Sequence, residues 1–285
     1  MSTHGKQATF RQINMLHRRY SQQTGATLIE LMVGIAIGLL TIAVAIGALM
    51  VSRGVSTAVS DTTGLQEQAS YAFRIIGQQL RQAGSIRLDL ASNKPEGAAI
   101  DAEDIVAFET IFDSLNNTVN GLDTPTTLTL GAQAFNEPSF QDATDPQLNR
   151  DCLRQKAPLV AGNGNISSSF TLSGADLMCQ GSSGPAQPII KNVSNFQVTY
   201  LIQESAFLGT PTIRRANAAT AATDWTRVFG VEVCLDLMGD ERIDTKGAAA
   251  LDAQYTNCAG NLASYGNRTH MVFRNTYQLR GQGRI

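Results

Sequence analysis

A single carboxylate, that of Glu30, interrupts an otherwise uncharged apolar run at residues 26–51. Placing an acidic side chain in a membrane costs about 2.5–3.5 kcal/mol at the centre of a helix, and less near the interface. Two interpretations follow. Glu30 either reaches the headgroup region and keeps contact with water, or it pairs with a positive charge inside a bundle of helices. The residues around it bear on this choice.

The apolar run has the length of a membrane-spanning helix, since its 26 residues exceed the roughly 20 that a helix needs to cross the bilayer core. Four basic residues and no acidic one precede it. They are Lys6, Arg11, Arg18 and Arg19. By the positive-inside rule, residues 1–25 lie in the cytoplasm and the chain after about Arg53 lies outside the membrane. In a bacterium-like cell that compartment is the oxidising periplasm.

An ordinary secretory signal offers a different interpretation of the same run. Such a signal has an apolar stretch of about 7–15 residues followed by a small-residue cleavage site. The stretch at residues 26–51 is longer and continues into polar helical sequence without that boundary. We therefore expect no cleavage on its far side. An uncleaved signal-anchor helix remains the alternative.

Charge is divided unevenly along the chain. The 285 residues include 22 basic and 24 acidic side chains, and residues 1–25 hold four of the basic ones. The rest of the chain therefore has 18 basic against 24 acidic side chains, a formal charge of −6. An acidic body of this kind argues against a nucleic-acid-binding scaffold.

Residues 24–32, of sequence TGATLIELM, resemble the processing site of type IV prepilins. The resemblance implies that a membrane prepilin peptidase cuts between Gly25 and Ala26, and that Ala26 becomes an N-methylated terminus. It also implies that Glu30 pairs with the new α-amino group of a neighbouring subunit, because a buried charge is costly unless it is paired. The family most often has phenylalanine in place of Ala26. The long leader points to a minor pilin or a related pseudopilin.

Two further patterns predict helix packing. Gly34 and Gly38 form a GxxxG pair, common in apolar helices, which lets two helices approach closely. Beyond the membrane run, apolar residues recur at spacings of three and four and predict an amphipathic stem helix that ends at Gly84. This stripe consists of Val55, Val59, Thr62, Leu65, Ala69, Ala72, Ile76, Leu80 and Ala83.

After Gly84, short runs rich in β-branched and aromatic residues predict a sheet. The predicted strands are residues 105–112, 126–130, 196–202, 228–237 and 271–279. In the fourth, Val231, Val233 and Leu235 alternate with Glu232, Cys234 and Asp236, which predicts one buried and one solvent-facing side. Residues 113–190 are predicted to be rich in loops that carry recognition. The expected fold class is α+β and type IV pilin-like: a long N-terminal helix, membrane-spanning in its first half, packed against a mostly antiparallel sheet.

Three segments of the C-terminal half resemble the PilW family of minor type IV pilins. They are residues 192–200, 227–233 and 271–280. The resemblance implies a subunit of a small complex that primes pilus assembly and lies at the pilus tip. The implied partners are the prepilin peptidase, other minor pilins, the major pilin, the inner-membrane assembly platform and a tip adhesin.

The four cysteines allow three pairings. We favour nearest neighbours, Cys152 with Cys179 and Cys234 with Cys258, because this choice closes two short loops. A zinc site is not predicted, since the chain has no CxxC motif and His270 is the only histidine after residue 25.

An enzyme is not predicted either. One histidine offers little acid–base machinery at neutral pH, and no P-loop, GxSxG or dinucleotide motif is present. Asp236, Asp240, Glu241 and Asp244 form an acidic turn that lacks EF-hand spacing, so a solvated loop is predicted there and not a calcium site. We expect no catalytic residue, cofactor or metal.

The sequence predicts four segments: a leader at residues 1–25, a transmembrane and assembly helix at 26–53, a stem helix at 54–84, and a periplasmic β-rich head at 85–285. The favoured function is that of a PilW-like minor pilin. One alternative is a minor pseudopilin of a type II secretion system. Another, of a different class, is a signal-anchored periplasmic binding domain that keeps residues 1–25.

Overall fold

The computed structural model describes residues 25–90, 106–108, 112–136, 147–159, 163–204, 210, 212–222, 224–242 and 254–280. The chain divides into two units, Met1–Gly54 and Val55–Ile285. Helix α1, Leu28–Gln82, contributes to both. The other elements are β1 Leu88–Leu90, β2 Val106–Phe108, α2 Ser114–Asn117, β3 Val119–Asp123, β4 Thr126–Phe135, β5 Asn163–Ser173, β6 Asp176–Gln180, β7 Gln187–Ile190, β8 Val193–Glu204, β9 Thr212–Ala216, α3 Ala218–Ala221, a 3-10 turn Trp225–Arg227, β10 Val228–Arg242, β11 Gln254–Thr256, β12 Leu262–Ser264 and β13 Arg268–Gln278.

In the first unit, the described residues from Leu28 to Gly54 are helical. Long runs of Leu, Ile and Ala favour a helix, and the sequence places no proline there. The large apolar side chains from Leu28 to Val51 are 48–78% exposed. The helix is long and apolar enough to cross a membrane and is a candidate membrane anchor.

In the second unit, the predicted stripe of α1 faces the core. The buried positions of the helix are Leu65, Ala69, Ala72, Ile76, Gly77, Gln79 and Leu80. Val55 and Val59 belong to the same stripe but are 61% and 58% exposed. The stripe therefore becomes buried only beyond these two residues. The helix gives way to Gly84, whose φ of +73° favours glycine.

Two antiparallel sheets dominate the described part of the second unit. One has the strand order β13-β10-β8-β9 and the other β3-β4-β5-β6-β7, while β1 pairs with β2 and β11 with β12. One core cluster joins the stem to both sheets. It includes Leu65, Ile76 and Leu80 of α1, Phe170 of β5 and Tyr200 of β8. A long N-terminal helix on antiparallel sheets confirms the predicted α+β class.

Residues 113–190, predicted to be rich in loops, also contain five strands, β3 to β7, of which the prediction included only part of β4. In β5 the inward positions follow strict alternation, with Gly164, Ile166, Ser168 and Phe170 buried. Gly164 and Ser168 are small or polar, so the strand lacks the alternation of apolar and polar residues by which a strand is recognised in a sequence. Three of the predicted strands, 126–130, 196–202 and 228–237, lie inside longer strands β4, β8 and β10.

The last and the first of the predicted strands agree with the structure to different extents. The strand predicted at 271–279 corresponds to β13, which begins earlier, at Arg268, and ends at Gln278. Of the strand predicted at 105–112, β2 covers Val106–Phe108. Residues 105 and 109–111 lie outside the described residues.

One side of strand β10 was predicted to face solvent, and this prediction was wrong. Val231, Val233 and Leu235 are fully buried, but Cys234 and Asp236 on the opposite face are only 2% and 1% exposed. The hairpin of β11 and β12 carries Tyr255, whose phenol contacts Asp236. A contact from a distant segment therefore covers the face that alternation assigned to solvent.

The acidic turn predicted around Asp240 is strand in the structure. Asp236, Asp240 and Glu241 all belong to β10, which continues to Arg242. Asp244 lies outside the described residues. Among the described members of this group, Asp236 is buried, whereas Asp240 and Glu241 are exposed.

Candidate functional site

The N-terminal segment places three predicted site residues at the start of α1. Gly25 and Ala26 precede the helix and are exposed. The hydroxyl of Thr27 accepts a hydrogen bond from the N–H of Glu30 at 3.3 Å, and its carbonyl accepts one from Leu31 at 3.1 Å. Thr27 thus acts as the cap of the helix. Glu30 lies in the first turn, where the helix dipole favours a negative charge.

Gly34 is exposed and Gly38 is half-buried on the same helix. A β-carbon added at either residue would have no atom within 4 Å. The hydroxyl of Thr41 donates to the carbonyl of Gly38 at 2.8 Å, so its polar group is satisfied within its own helix. These two glycines leave a small open surface to which another helix backbone has access.

Stem and head are joined by hydrogen bonds along several turns of α1. Asp61 accepts the N–H of Asp240 at 3.0 Å, and Gln68 accepts the N–H of Lys191 at 3.2 Å. The phenol of Tyr277 donates to the carbonyl of Phe73 at 2.8 Å. Burial raises the pKa of this phenol and so keeps it neutral as a donor. The contacts come from β7, β10 and β13 or their ends, so they fix both sheets to the stem.

A buried polar network continues this attachment at the end of the stem. Gln79 is 3% exposed, and its side-chain oxygen accepts the hydroxyl proton of Ser168 at 2.8 Å. The Ser168 hydroxyl oxygen in turn accepts the N–H of Cys152 at 3.0 Å. Gln82 donates to the carbonyl of Arg150 at 2.7 Å. The inward serine of β5 therefore ties α1 to the segment that carries Cys152.

Cys152 bonds to Cys179, and Cys234 bonds to Cys258. This is the nearest-neighbour pairing. No free cysteine remains. Each bridge closes a short loop, of 27 and 24 residues in sequence separation, and limits the freedom of the unfolded chain.

Asp151 organises the chain beside the first disulfide. Its carboxylate is 1% exposed and accepts the backbone N–H groups of Leu153, Gln155 and Ser182. A β-carbon on Gly181 would collide with this carboxylate. Since Ser182 follows β6, one buried charge holds together both sides of the Cys152–Cys179 bridge.

A second buried carboxylate, Asp236, lies beside the other disulfide. One oxygen accepts the phenol proton of Tyr255 at 2.7 Å, and the other lies 3.1 Å from Nδ1 of His270. The rings of Tyr255 and His270 stack with centroids 4.7 Å apart. Burial, followed by the hydrogen bond to Asp236, raises the pKa of the Tyr255 phenol. His270 thus serves a packed polar cluster beneath the β11–β12 hairpin.

No group of three or more His, Cys, Asp or Glu side chains that could hold a metal ion occurs in the described part of the chain. The Asp236–His270 pair has Tyr255 as its third member, and Ser194 hydrogen-bonds to the same phenol.

Comparison with known proteins bears on the head. Residues 160–281 match the family model PilW, Type IV Pilus-assembly protein W. The head is PilW-like. The match spans less than half of the chain and confirms the resemblance found in residues 192–200, 227–233 and 271–280.

The other comparisons add little to this match. No curated protein matches the sequence. A solved structure, the type IV-like pilin TTHA1219 from Thermus thermophilus, is 10% identical and aligns over 77% of this chain and 98% of its own length with a TM-score of 0.39. We draw no conclusion from so distant a likeness.

The PilW-like region contains β5 to β13, and with them the Cys234–Cys258 bridge and the Asp236 cluster. The cysteines were predicted from the sequence to form disulfides, whereas the cluster of Asp236, Tyr255 and His270 was not predicted. The only signal was a carboxylate inside the apolar strand Val228–Leu237, at a position that alternation assigned to solvent. The chain therefore has a region, residues 160–281, that is similar to the PilW pilus-assembly family, together with a candidate membrane-anchoring helix.

Proposed function

We propose that this chain is a PilW-like minor type IV pilin that takes part in starting pilus assembly and enters the pilus at or near its tip. The observation that carries the proposal is the combination of a PilW-like head with a bare apolar helix whose first turn holds Glu30. A soluble protein gains nothing from exposing such a helix, because large apolar patches cause aggregation in water.

Processing is the first step of the proposed function. Gly25 and Ala26 lie outside the helix and are exposed, which is the form of backbone that a peptidase can bind. A prepilin peptidase cuts between them and leaves the whole apolar helix on the mature protein. The released amine of Ala26 is then N-methylated.

Assembly is the second step. Before assembly, the chain spans the inner membrane once, with the head in the periplasm. The carboxylate of Glu30 then pairs with the terminal amine of a neighbouring subunit in the low-dielectric interior of the filament, where an unpaired charge would be strongly destabilising. Gly34 and Gly38 let the neighbouring helix approach closely.

The head acts by binding and not by catalysis. Its buried carboxylates, Asp151 and Asp236, are held in hydrogen bonds that stabilise the fold. Its partners are other minor pilins, the major pilin and the inner-membrane assembly platform, with a tip adhesin as a further candidate. Nucleic acid is not among the proposed partners, because the chain after residue 25 is acidic.

The decisive experiment is the intact mass and N-terminal sequence of the protein recovered from membranes, with and without the prepilin peptidase. A chain that begins at Ala26 only in the presence of the peptidase supports the pilin assignment. A chain that keeps residues 1–25 in both samples overturns it in favour of a signal-anchored binding domain. Piliation of cells that lack the protein then separates a pilus subunit from a type II secretion pseudopilin.

A further inference from the structure

We propose that a cleft between α1 and the Asp151–Gln155 turn binds a carboxylate-bearing, partly apolar peptide segment of another protein subunit. The cleft has a volume of about 510 Å³, which lies within the usual range of ligand sites. Tyr71, Arg74 and Gln78 of α1 line one wall. Leu153 and Arg154 line the opposite wall.

Two arginines give the cleft its charge. Arg74 and Arg154 are both exposed, and within the described residues neither makes an ion pair. The Arg74 guanidinium lies 5.4 Å from the centroid of the Tyr71 ring, which orients it without neutralising it. The chain after residue 25 has a net negative charge. Two arginines without ion-pair partners therefore make this cleft locally positive.

The backbone of Arg154 supports a role for its side chain. Its φ is +62°, in the left-handed region that glycine adopts readily and arginine rarely does. The turn is held in place by Asp151, which accepts the N–H groups on either side, those of Leu153 and Gln155. The turn thus keeps a long cationic side chain at a position where glycine would cost less.

The one carboxylate in the lining does not neutralise the arginines. Asp151 is 1% exposed, and both of its oxygens accept backbone N–H groups. Its hydrogen-bonding capacity is directed at the turn and at Ser182, and not into the cleft. The guanidinium groups therefore remain available to an external carboxylate, which an arginine binds through two parallel hydrogen bonds.

The remaining lining favours a peptide over a phosphate chain. Ile75, Leu153, Pro188 and Ile189 add apolar surface, and Gln78 and Gln187 add amide groups. A nucleic acid strand requires a continuous track of cations, whereas this cleft alternates two cations with apolar and amide side chains. It therefore fits a short segment in which acidic and apolar residues alternate.

The cleft also lies beside the end of a sheet, as the order of its described strands shows. Strand β7 is the last strand of its sheet and supplies Gln187, Pro188 and Ile189 to the lining. Pro188 lacks an N–H group, as is usual for an edge strand. Proline on an edge strand opposes the addition of a further strand, so the cleft holds its peptide through side-chain contacts and not through a ladder of backbone hydrogen bonds.

The test uses the mature chain in detergent and a fluorescent peptide, Ile-Asp-Ala-Glu-Asp-Ile, which copies residues 100–105 of this chain as a convenient acidic and apolar probe. The matched neutral peptide is Ile-Asn-Ala-Gln-Asn-Ile. Fluorescence anisotropy gives the dissociation constant. We expect binding that weakens about tenfold or more in the double variant Arg74→Gln, Arg154→Gln, and that weakens with added salt. The control Arg81→Gln removes an exposed arginine of the same helix that does not line the cleft, and should leave binding unchanged.

Four results would overturn the proposal: no binding of the acidic peptide, equal binding of the neutral peptide, equal binding by the double variant, or displacement of the peptide by oligothymidylate at lower concentration than by unlabelled peptide. Thermal unfolding of each variant shows whether it is folded. The identification of the partner as a filament subunit rests on the proposed function, but peptide binding does not. Retention of residues 1–25 would thus refute the pilin assignment but not the peptide-binding cleft. Failure of peptide binding would refute the cleft proposal but not the pilin assignment.

Discussion

The ring of Tyr277 packs against the backbone of Gly77, where an added β-carbon would lie 2.6 Å from the ring atom Cε1. The same phenol donates to the carbonyl of Phe73, one turn earlier in α1. Gly77 therefore weakens the helix by about 1 kcal/mol relative to alanine and in return admits the ring of β13.

Replacing Gly77 with alanine should destabilise the head. We expect Gly77→Ala to lower the free energy of unfolding by about 1 kcal/mol, because overpacking costs about 1–3 kcal/mol and exceeds the gain in helix propensity. Gly64→Ala is the matched control in the same helix, since its β-carbon would have no atom within 4 Å. It should raise stability by up to about 1 kcal/mol. Denaturant unfolding in detergent measures both; a stabilising Gly77→Ala would refute the packing argument.

Tyr255, which is half-buried, and Tyr200, which is buried, should respond in different ways to loss of the hydroxyl. Tyr255→Phe leaves an oxygen of Asp236 without its donor and should cost about 1–3 kcal/mol. The hydroxyl of Tyr200 is buried without a hydrogen-bond partner among the described residues, so Tyr200→Phe should be neutral or stabilising by about 1 kcal/mol. Unfolding free energies of the two variants decide; equal losses would contradict the hydrogen-bond assignments.

Stability should fall at alkaline pH. Burial raises the pKa of the Tyr200 and Tyr255 phenols, and for Tyr255 the hydrogen bond to Asp236 adds to the effect. Unfolded tyrosines lose their protons near pH 10, whereas these two stay protonated in the fold. Their contribution is therefore complete below about pH 10 and is lost as the pH rises above it. The unfolding midpoint of the parent chain should fall as the pH is raised from about 8 to about 11. In Tyr255→Phe it should fall less steeply. A decline as steep as in the parent chain would exclude Tyr255 as a source.

Removal of either disulfide should cost about 3 kcal/mol, since the closed loops are similar in length. The paired replacement Cys234→Ala, Cys258→Ala should also expose the β11–β12 hairpin to proteases. The pair Cys152→Ala, Cys179→Ala should leave that hairpin protected. Limited proteolysis with mass spectrometry distinguishes the two variants, and a peptide map without reduction checks the pairing. Mixed pairing in the parent chain would contradict the structure.

Replacement of Glu30 should separate folding from assembly. Glu30→Ala removes a charge from an exposed helix turn, so head stability and membrane insertion should be unchanged. Incorporation into pili should fall sharply, because the terminal amine of the neighbouring subunit loses its partner. Thr41→Ala, in the same helix, is the control and should assemble normally. The amounts of each variant in sheared pili and in membranes give the readout, and normal incorporation of Glu30→Ala would remove the proposed role.

The stem helix was predictable because its signals are local. The sequence shows a period of three and four and a glycine at position 84, all within a few turns. The strand β5 was not, because Ser168 faces inward only to meet Gln79, 89 residues away in the chain. No local pattern contains that partner, so a serine-rich strand resembled a loop.

The cover over β10 was unpredictable for a related reason. The alternation of residues in β10 assigns Asp236 to the solvent-facing side. That side is covered because Tyr255 of the β11–β12 hairpin packs against it. The hairpin itself is short, with strands of three residues each, and has no apolar period of its own. Its position depends on the Cys234–Cys258 bridge and the buried carboxylate together.

The distribution of the stem's hydrogen bonds has a mechanical consequence. Asp61, Gln68, Phe73 and Gln79 meet the head at intervals of between one and two turns along α1. A pull along the helix axis loads these contacts in shear, all at once, whereas a sideways pull would peel them one after another. Tension applied along the stem would therefore have to break this row of contacts together and not one after another.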